Sequence, residues 1–250
     1  MKKLLFLIFS ASVLFSFKSS ETVEIKWDFS KYKKLTYSYN QKMEMKINSF
    51  IKDHSGIEGE GIIEIIVIDS EFAHANIKIH KAESYDMDSI GNKVSERMDF
   101  IPPTLVINGL KEDDTSKILS NPEEEMFIKS LFPVIKEAIG KTPKKYPLNF
   151  RFNNQGKMLN STGDSFLRLE NIEKDICHLE LNYDLKNIHD DTNQEVKFSV
   201  IGNSKLQFNS TARYFIKGVS WMSVRIEDEN PHEPEFAVET TINYELISVE

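Results

Sequence analysis

Phe236-Ala237-Val238-Glu239-Thr240-Thr241-Ile242-Asn243-Tyr244-Glu245-Leu246 is the stretch on which the fold turns. Phe236, Val238, Thr240, Ile242, Tyr244 and Leu246 share one parity, and Glu239, Thr241, Asn243 and Glu245 take the other. A period of two marks a strand with one face buried and one face wet. Working outward, the pattern recurs. Leu35, Tyr37 and Tyr39 oppose Thr36, Ser38 and Asn40, and the same parity continues through Met43, Met45 and Ile47. Ala73, Ala75, Ile77 and Ile79 alternate with His74, Asn76, Lys78 and His80. Cys177, Leu179, Leu181, Tyr183 and Leu185 alternate with His178, Glu180, Asn182 and Asp184. Ile62 to Ile68 is aliphatic apart from Glu64, as in a strand covered on both faces or near the centre of a sheet.

Punctuation divides these runs. Asn153-Asn154-Gln155-Gly156 reads as a turn between 148–152 and 157–159, and Gly202-Asn203 as a turn into Leu206–Phe208. Segments 214–217 and 219–226 read as two further strands, and 165–170 is ambiguous. Pro102-Pro103 places the strand from Thr104 to Asn108 at a sheet edge. One helix is expected over 121–140. Asn121 caps it, Pro122 fits its first turn, Glu123, Glu124 and Glu125 suit its dipole, and Gly140 closes it. Phe127, Leu131, Ile135 and Ile139 recur at helical spacing, with a kink or break at Pro133.

The fold class is therefore mainly β (α+β): a curved antiparallel sheet, half-barrel or barrel-like, with a central helical segment covering it. Strand groups at about 25–110 and 147–250 would form a single β-rich domain over 21–250, joined by the helix. Residues 1–20 read as a signal peptide. Lys2 and Lys3 precede an apolar run from Leu4 to Phe17, roughly 14 residues and short of the ~18 that a membrane span needs. Cleavage near Ser19 or Ser20 would leave a soluble periplasmic or secreted protein with no stable membrane anchor; an uncleaved anchor is the alternative.

Composition narrows the function classes. The chain carries 31 Lys+Arg against 39 Asp+Glu, and losing Lys2, Lys3 and Lys18 leaves 28 against 39, or −11. Lys33-Lys34 and Lys144-Lys145 are isolated pairs, so nucleic acid and anionic lipid surfaces are poor partners. Cys177 is the single cysteine, so no internal disulfide forms, and its inward parity points to an inert buried thiol. Hydrophobic content of 40% with 17 Phe is ample for a core.

Catalytic motifs do not emerge. The six histidines include no HExxH pair, and His74 and His80 stand roughly 20 Å apart along an extended strand. Asp86-x-Asp88-x-Ile90-Gly91 begins like a calcium loop, yet offers Ile90 and Arg97 where oxygen ligands are needed. There is no Gly-x-Ser-x-Gly elbow and no glycine-rich phosphate loop. No catalytic residue, metal site or cofactor is assigned. Aromatic residues such as Trp27, Trp221, Tyr37, Tyr39, Tyr214 and Phe215 would suit an apolar or carbohydrate ligand, or ordinary packing between strands.

The Leu131-Phe132-Pro133 helix segment, the Asn154-Gln155-Gly156-Lys157 turn with its flanking strands and the Gly202 to Phe208 turn and strand carry a resemblance. The layout resembles uncharacterised exported β-sheet proteins of Bacteroidota, and in outline is similar to periplasmic lipoprotein carriers of the LolA and LppX type. That resemblance implies a curved apolar sheet covered by helices, binding a lipid or acyl chain, and transfers no site residue. The leading expectation is an exported, non-enzymatic protein that holds a hydrophobic small molecule or lipid in a sheet-and-helix cleft. Tyr37, Tyr39, Phe127, Leu131 and Trp221 are its candidate ligand-binding residues. An envelope protein-interaction module and a hydrolase with a dispersed site are the alternatives.

Overall fold

The computed structural model describes residues 21–47, 54–87, 92–98, 104–111, 128–148, 150–154, 157–190, 195–196, 198–226 and 236–250. The expected signal segment, Phe127 and the first turns of the expected helix lie outside these. The described chain forms one antiparallel sheet of 13 strands. The first five are β1 (Lys34–Ile47), β2 (His54–Val67), β3 (Phe72–Met87), β4 (Lys93–Arg97) and β5 (Leu105–Lys111). Then come β6 (Lys144–Lys145), β7 (Phe150–Asn154), β8 (Lys157–Glu173) and β9 (Ile176–Asp190). The last are β10 (Glu195–Val196), β11 (Phe198–Asn209), β12 (Tyr214–Ile226) and β13 (Phe236–Val249).

Spatial order runs β4-β3-β2-β1-β13-β12-β11-β9-β8-β6, with β5 beside β3, β7 beside β8 and β10 beside β9. The path is open, so the sheet is not closed into a barrel. Each sequence group is a meander of neighbours, and the C-terminal strand β13 lies between them, pairing β1 on one side and β12 on the other. The β4 end is all exposed and bears Lys93, Glu96 and Arg97. Charge on a short edge strand opposes pairing with another chain.

Alternation was a sound guide to the faces. Leu35, Tyr37, Ile63, Ile65, Ala75, Leu181, Val200, Leu206 and Tyr244 belong to one apolar cluster on the inner face. Cys177 is fully buried there, and burial pushes its thiol pKa up, away from the reactive thiolate. Glu64, the polar interruption in the Ile62–Ile68 run, belongs to the outer face, where Lys34 (2.8 Å) and Lys78 (2.5 Å) pair with it. Those two cations hold its carboxyl below the usual range.

Three sequence expectations change. Gly202-Asn203 is not a turn: β11 runs through it, with Gly202 directly opposite Tyr183. The Tyr183 ring occupies the space where a side chain would stand, so an added Cβ would meet its Oη at 2.4 Å. Segments 214–217 and 219–226 are one strand, β12, and its partner β11 has a register shift at Gln207/Phe208. The helix expected through Gly140 is, among the described residues, a single turn over 128–131. Pro133 cannot supply an amide hydrogen and its ring crowds the preceding turn, so the chain leaves the helix at Phe132. Ile139 then forms a β-bridge with Val23 instead of a helical contact. No described helix is long and apolar enough to cross a membrane.

Candidate functional site

The inner face has two zones of different character. At one end it is filled by the chain itself. Phe132, fully buried, packs its ring against Trp27, Tyr37, Phe215 and Tyr244 with centroid separations of 5.6, 5.4, 5.6 and 4.8 Å. Two hydrogen bonds pin this arrangement. The Tyr244 hydroxyl donates to the Leu131 carbonyl (2.7 Å), and the Tyr37 hydroxyl donates to the Phe215 carbonyl (3.0 Å). Trp27 is wholly enclosed and its indole N–H has no hydrogen-bond partner among the described residues. Non-strand residues thus form a plug on the sheet, with Ile25, Trp27, Phe29, Leu131 and Phe132 as its apolar surface.

Burial pushes the phenol pKa values of Tyr37 and Tyr244 far up, and those of Tyr39 and Tyr183 as well. A folded-state value above the ordinary ~10 means that the folded chain holds these protons more tightly than the unfolded one. Stability is then intact below about pH 10 and falls as pH rises beyond it, because unfolding releases protons. In an ultraviolet titration of the eight tyrosines, these four should stay un-ionised until the protein unfolds. Smooth ionisation of all eight near pH 10 with native circular dichroism would contradict the buried-phenol assignment.

Further along the same face the rings give way to flexible aliphatic and thioether groups. Cross-strand registers set Ile57, Met43, Thr240 and Met222 in one row, and Met45, Val238, Val224 and Val200 in the next. Met43, Met45, Ile57, Met222, Val224 and Val238 are each only half-buried. Unbranched thioethers adapt to irregular apolar shapes, so this zone suits a ligand of variable form better than a rigid one.

The predicted residues separate accordingly. Tyr37, Tyr39 and Leu131 gather on the inner face at the plugged end, where all three are buried. Tyr39 donates to Gln41, one inward position along β1. Trp221 falls on the opposite, outer face, in register with Thr241 and Asn203, so it does not join them. Sequence reasoning passed over Met222, Val224 and Val238. Their signal was present in the parity of β12 and β13, but only pairing through β13 shows that they adjoin Met43 and Met45.

Among the described residues, every Asp and Glu with a displaced pKa moves downward. Asp28, Glu44, Glu64, Glu83 and Glu137 all have pKa values displaced downward by hydrogen bonds to Ser30, Lys42, Lys34, Lys81 and Lys144 respectively. A general acid working at neutral pH needs the opposite shift. Among the described residues no group of three or more His, Cys, Asp or Glu could hold a metal ion.

No family model matches the chain, and neither does any curated protein. Among solved structures, it is similar to one described as lipid–protein interactions in lipovitellin. The TM-score is 0.46 with 11% identity, over 91% of this chain and 26% of that one. This chain therefore spans about a quarter of that structure's length.

Proposed function

We propose that this is an exported, non-enzymatic protein that binds an apolar or lipid-like ligand on the methionine-bearing zone of the inner face. The observation that carries the reading is the change of character along that face. One end is sealed by Phe132 and its aromatic neighbours, while the other keeps Met43, Met45, Met222, Val224 and Val238 half-buried. Burial of acyl-chain surface there would be favourable by roughly 25 cal/mol per Å². The basic and apolar N-terminal segment supports export, and with it a role in the envelope or outside the cell.

The test is uptake of a fluorescent fatty acid by delipidated protein, with mass spectrometry of whatever co-purifies. Met222→Glu places a charge beside Thr240, with Met43 on the strand beyond it, and should weaken uptake by about tenfold or more, since a carboxylate does not tolerate apolar burial. Conservative Met222→Leu should bind nearly as well as the parent. Delipidated protein without saturable uptake, and with no lipid in the purified material, would end this reading.

A further inference from the structure

The outer face carries a second constellation, on the side of the sheet away from the methionines. Asparagine is depleted in strands, where β-branched and aromatic residues fit the pleat better. Yet Asn40 pairs directly with Asn243 across β1 and β13, and Asn203 with Asn182 across β11 and β9. All four are exposed, and none of their side-chain amides hydrogen-bonds another described residue. The row through the second pair reads Trp221, Asn203, Asn182, Phe166 across β12, β11, β9 and β8. An indole and a phenyl ring thus stand three strand spacings apart, roughly 14 Å, with two carboxamides between them.

These four side chains line a trough of about 600 Å³, together with Asp164 and Asp184. That volume lies in the range of ligand sites. Phe166 is 40% exposed, so a flat apolar face is left in water at one end of a polar groove. Both carboxylates have a cation at hand, Lys186 at 2.8 Å from Asp184 and Lys145 at 3.7 Å from Asp164. The trough therefore has no surplus charge with which to hold an ionic ligand. What fits is an uncharged molecule with apolar faces and a hydroxylated rim. Pyranose rings present C–H faces that stack on aromatic planes, and each amide offers one acceptor and two donor hydrogens to neighbouring hydroxyls.

We propose that the outer face across β8, β9, β11 and β12 binds a neutral oligosaccharide, with Trp221 and Phe166 as stacking platforms and Asn182 and Asn203 hydrogen-bonding between them. The site is independent of the apolar-ligand reading, because the two use opposite faces of the sheet.

The chain offers its own reporter. Of its two tryptophans, Trp27 is wholly buried and Trp221 borders the trough, so a stacked sugar perturbs the emission of Trp221 alone. Full-length protein is titrated with neutral β-1,4-glucan, β-1,3-glucan, α-1,4-glucan, mannan and xylan oligosaccharides, followed by fluorescence and calorimetry. At least one should give a saturable emission change and heat. Trp221→Ala should abolish binding, and Asn182→Ala or Asn203→Ala should each weaken it by about tenfold, with thermal unfolding unchanged in all three. No saturable binding to any of the five, or affinity untouched by Trp221→Ala, overturns the proposal, as does a requirement for a charged saccharide. Met222→Glu should leave the saccharide titration as it was and Trp221→Ala should leave fatty-acid uptake as it was, so the two site assignments fail separately.

Discussion

Gly61→Ala should destabilise the protein by about 3 kcal/mol, while Gly59→Ala, two residues away on the same face of β2, should change stability by less than about 0.5 kcal/mol. A Cβ on Gly61 would stand 2.0 Å from the Lys78 carbonyl oxygen and 2.9 Å from the Ile79 Cα. Both are main-chain atoms, so no rotamer change relieves the overlap, and β2 and β3 must move apart at the register shift between Glu60 and Gly61. A Cβ on Gly59 would instead meet the Ile79 Cγ2 at 3.8 Å, an ordinary contact. Alanine there also reduces the freedom of the unfolded chain, which favours folding by a few tenths of a kcal/mol. Urea unfolding of the pair checks the claim. Equal midpoints would mean that the strands do not approach closely at the bulge.

Phe132→Ala should cost about 3–5 kcal/mol, as expected for removing a fully buried phenylalanine. The side chain touches rings from β1, β12 and β13 as well as Trp27, so its loss empties the point where the plug meets the sheet. For a chain of this length that corresponds to a fall in Tm of roughly 10 °C. Phe132→Leu, which retains most of the volume, should cost about 1–2 kcal/mol. A loss for the alanine variant no larger than about 1 kcal/mol would show that the plug is peripheral to stability.

Much of this architecture is legible in the sequence because a sheet with one dry face writes its parity directly into the residue order. The last strand shows it most clearly. Phe236 to Leu246 gave both the strand and its inward set, and Ile242 and Tyr244 are indeed buried. Near the expected Asn153–Gly156 turn, β7 runs on through Asn154, which pairs with Lys157 at the start of β8, and 155–156 lie outside the described residues. What parity does not encode is which strand lies beside which. Tyr39 faces Tyr244 although about 200 residues separate them, and no local signal announces that pairing. The same gap explains the site. Tyr37 and Trp221 look alike as aromatic residues in strands, but only the registers reveal that they occupy opposite sides. Helical spacing misled at Ile135 and Ile139, since apolar residues that clothe an irregular segment can recur every four positions by packing alone.

The position of β13 has a consequence for how the molecule is made. Both sequence groups can assemble by local hairpins, but each then ends in an unsatisfied rim, β1 in one and β12 in the other, that waits for a ribbon synthesised after both. Such rims are templates for wrong association. Non-local closure of this kind is also slow, since the loop entropy must be overcome before the contacts form. During that interval the nascent polypeptide is at its most aggregation-prone. A soluble peptide copying 236–249, supplied in trans to a chain lacking that ribbon, is the natural way to ask whether the two halves wait for it or collapse without it.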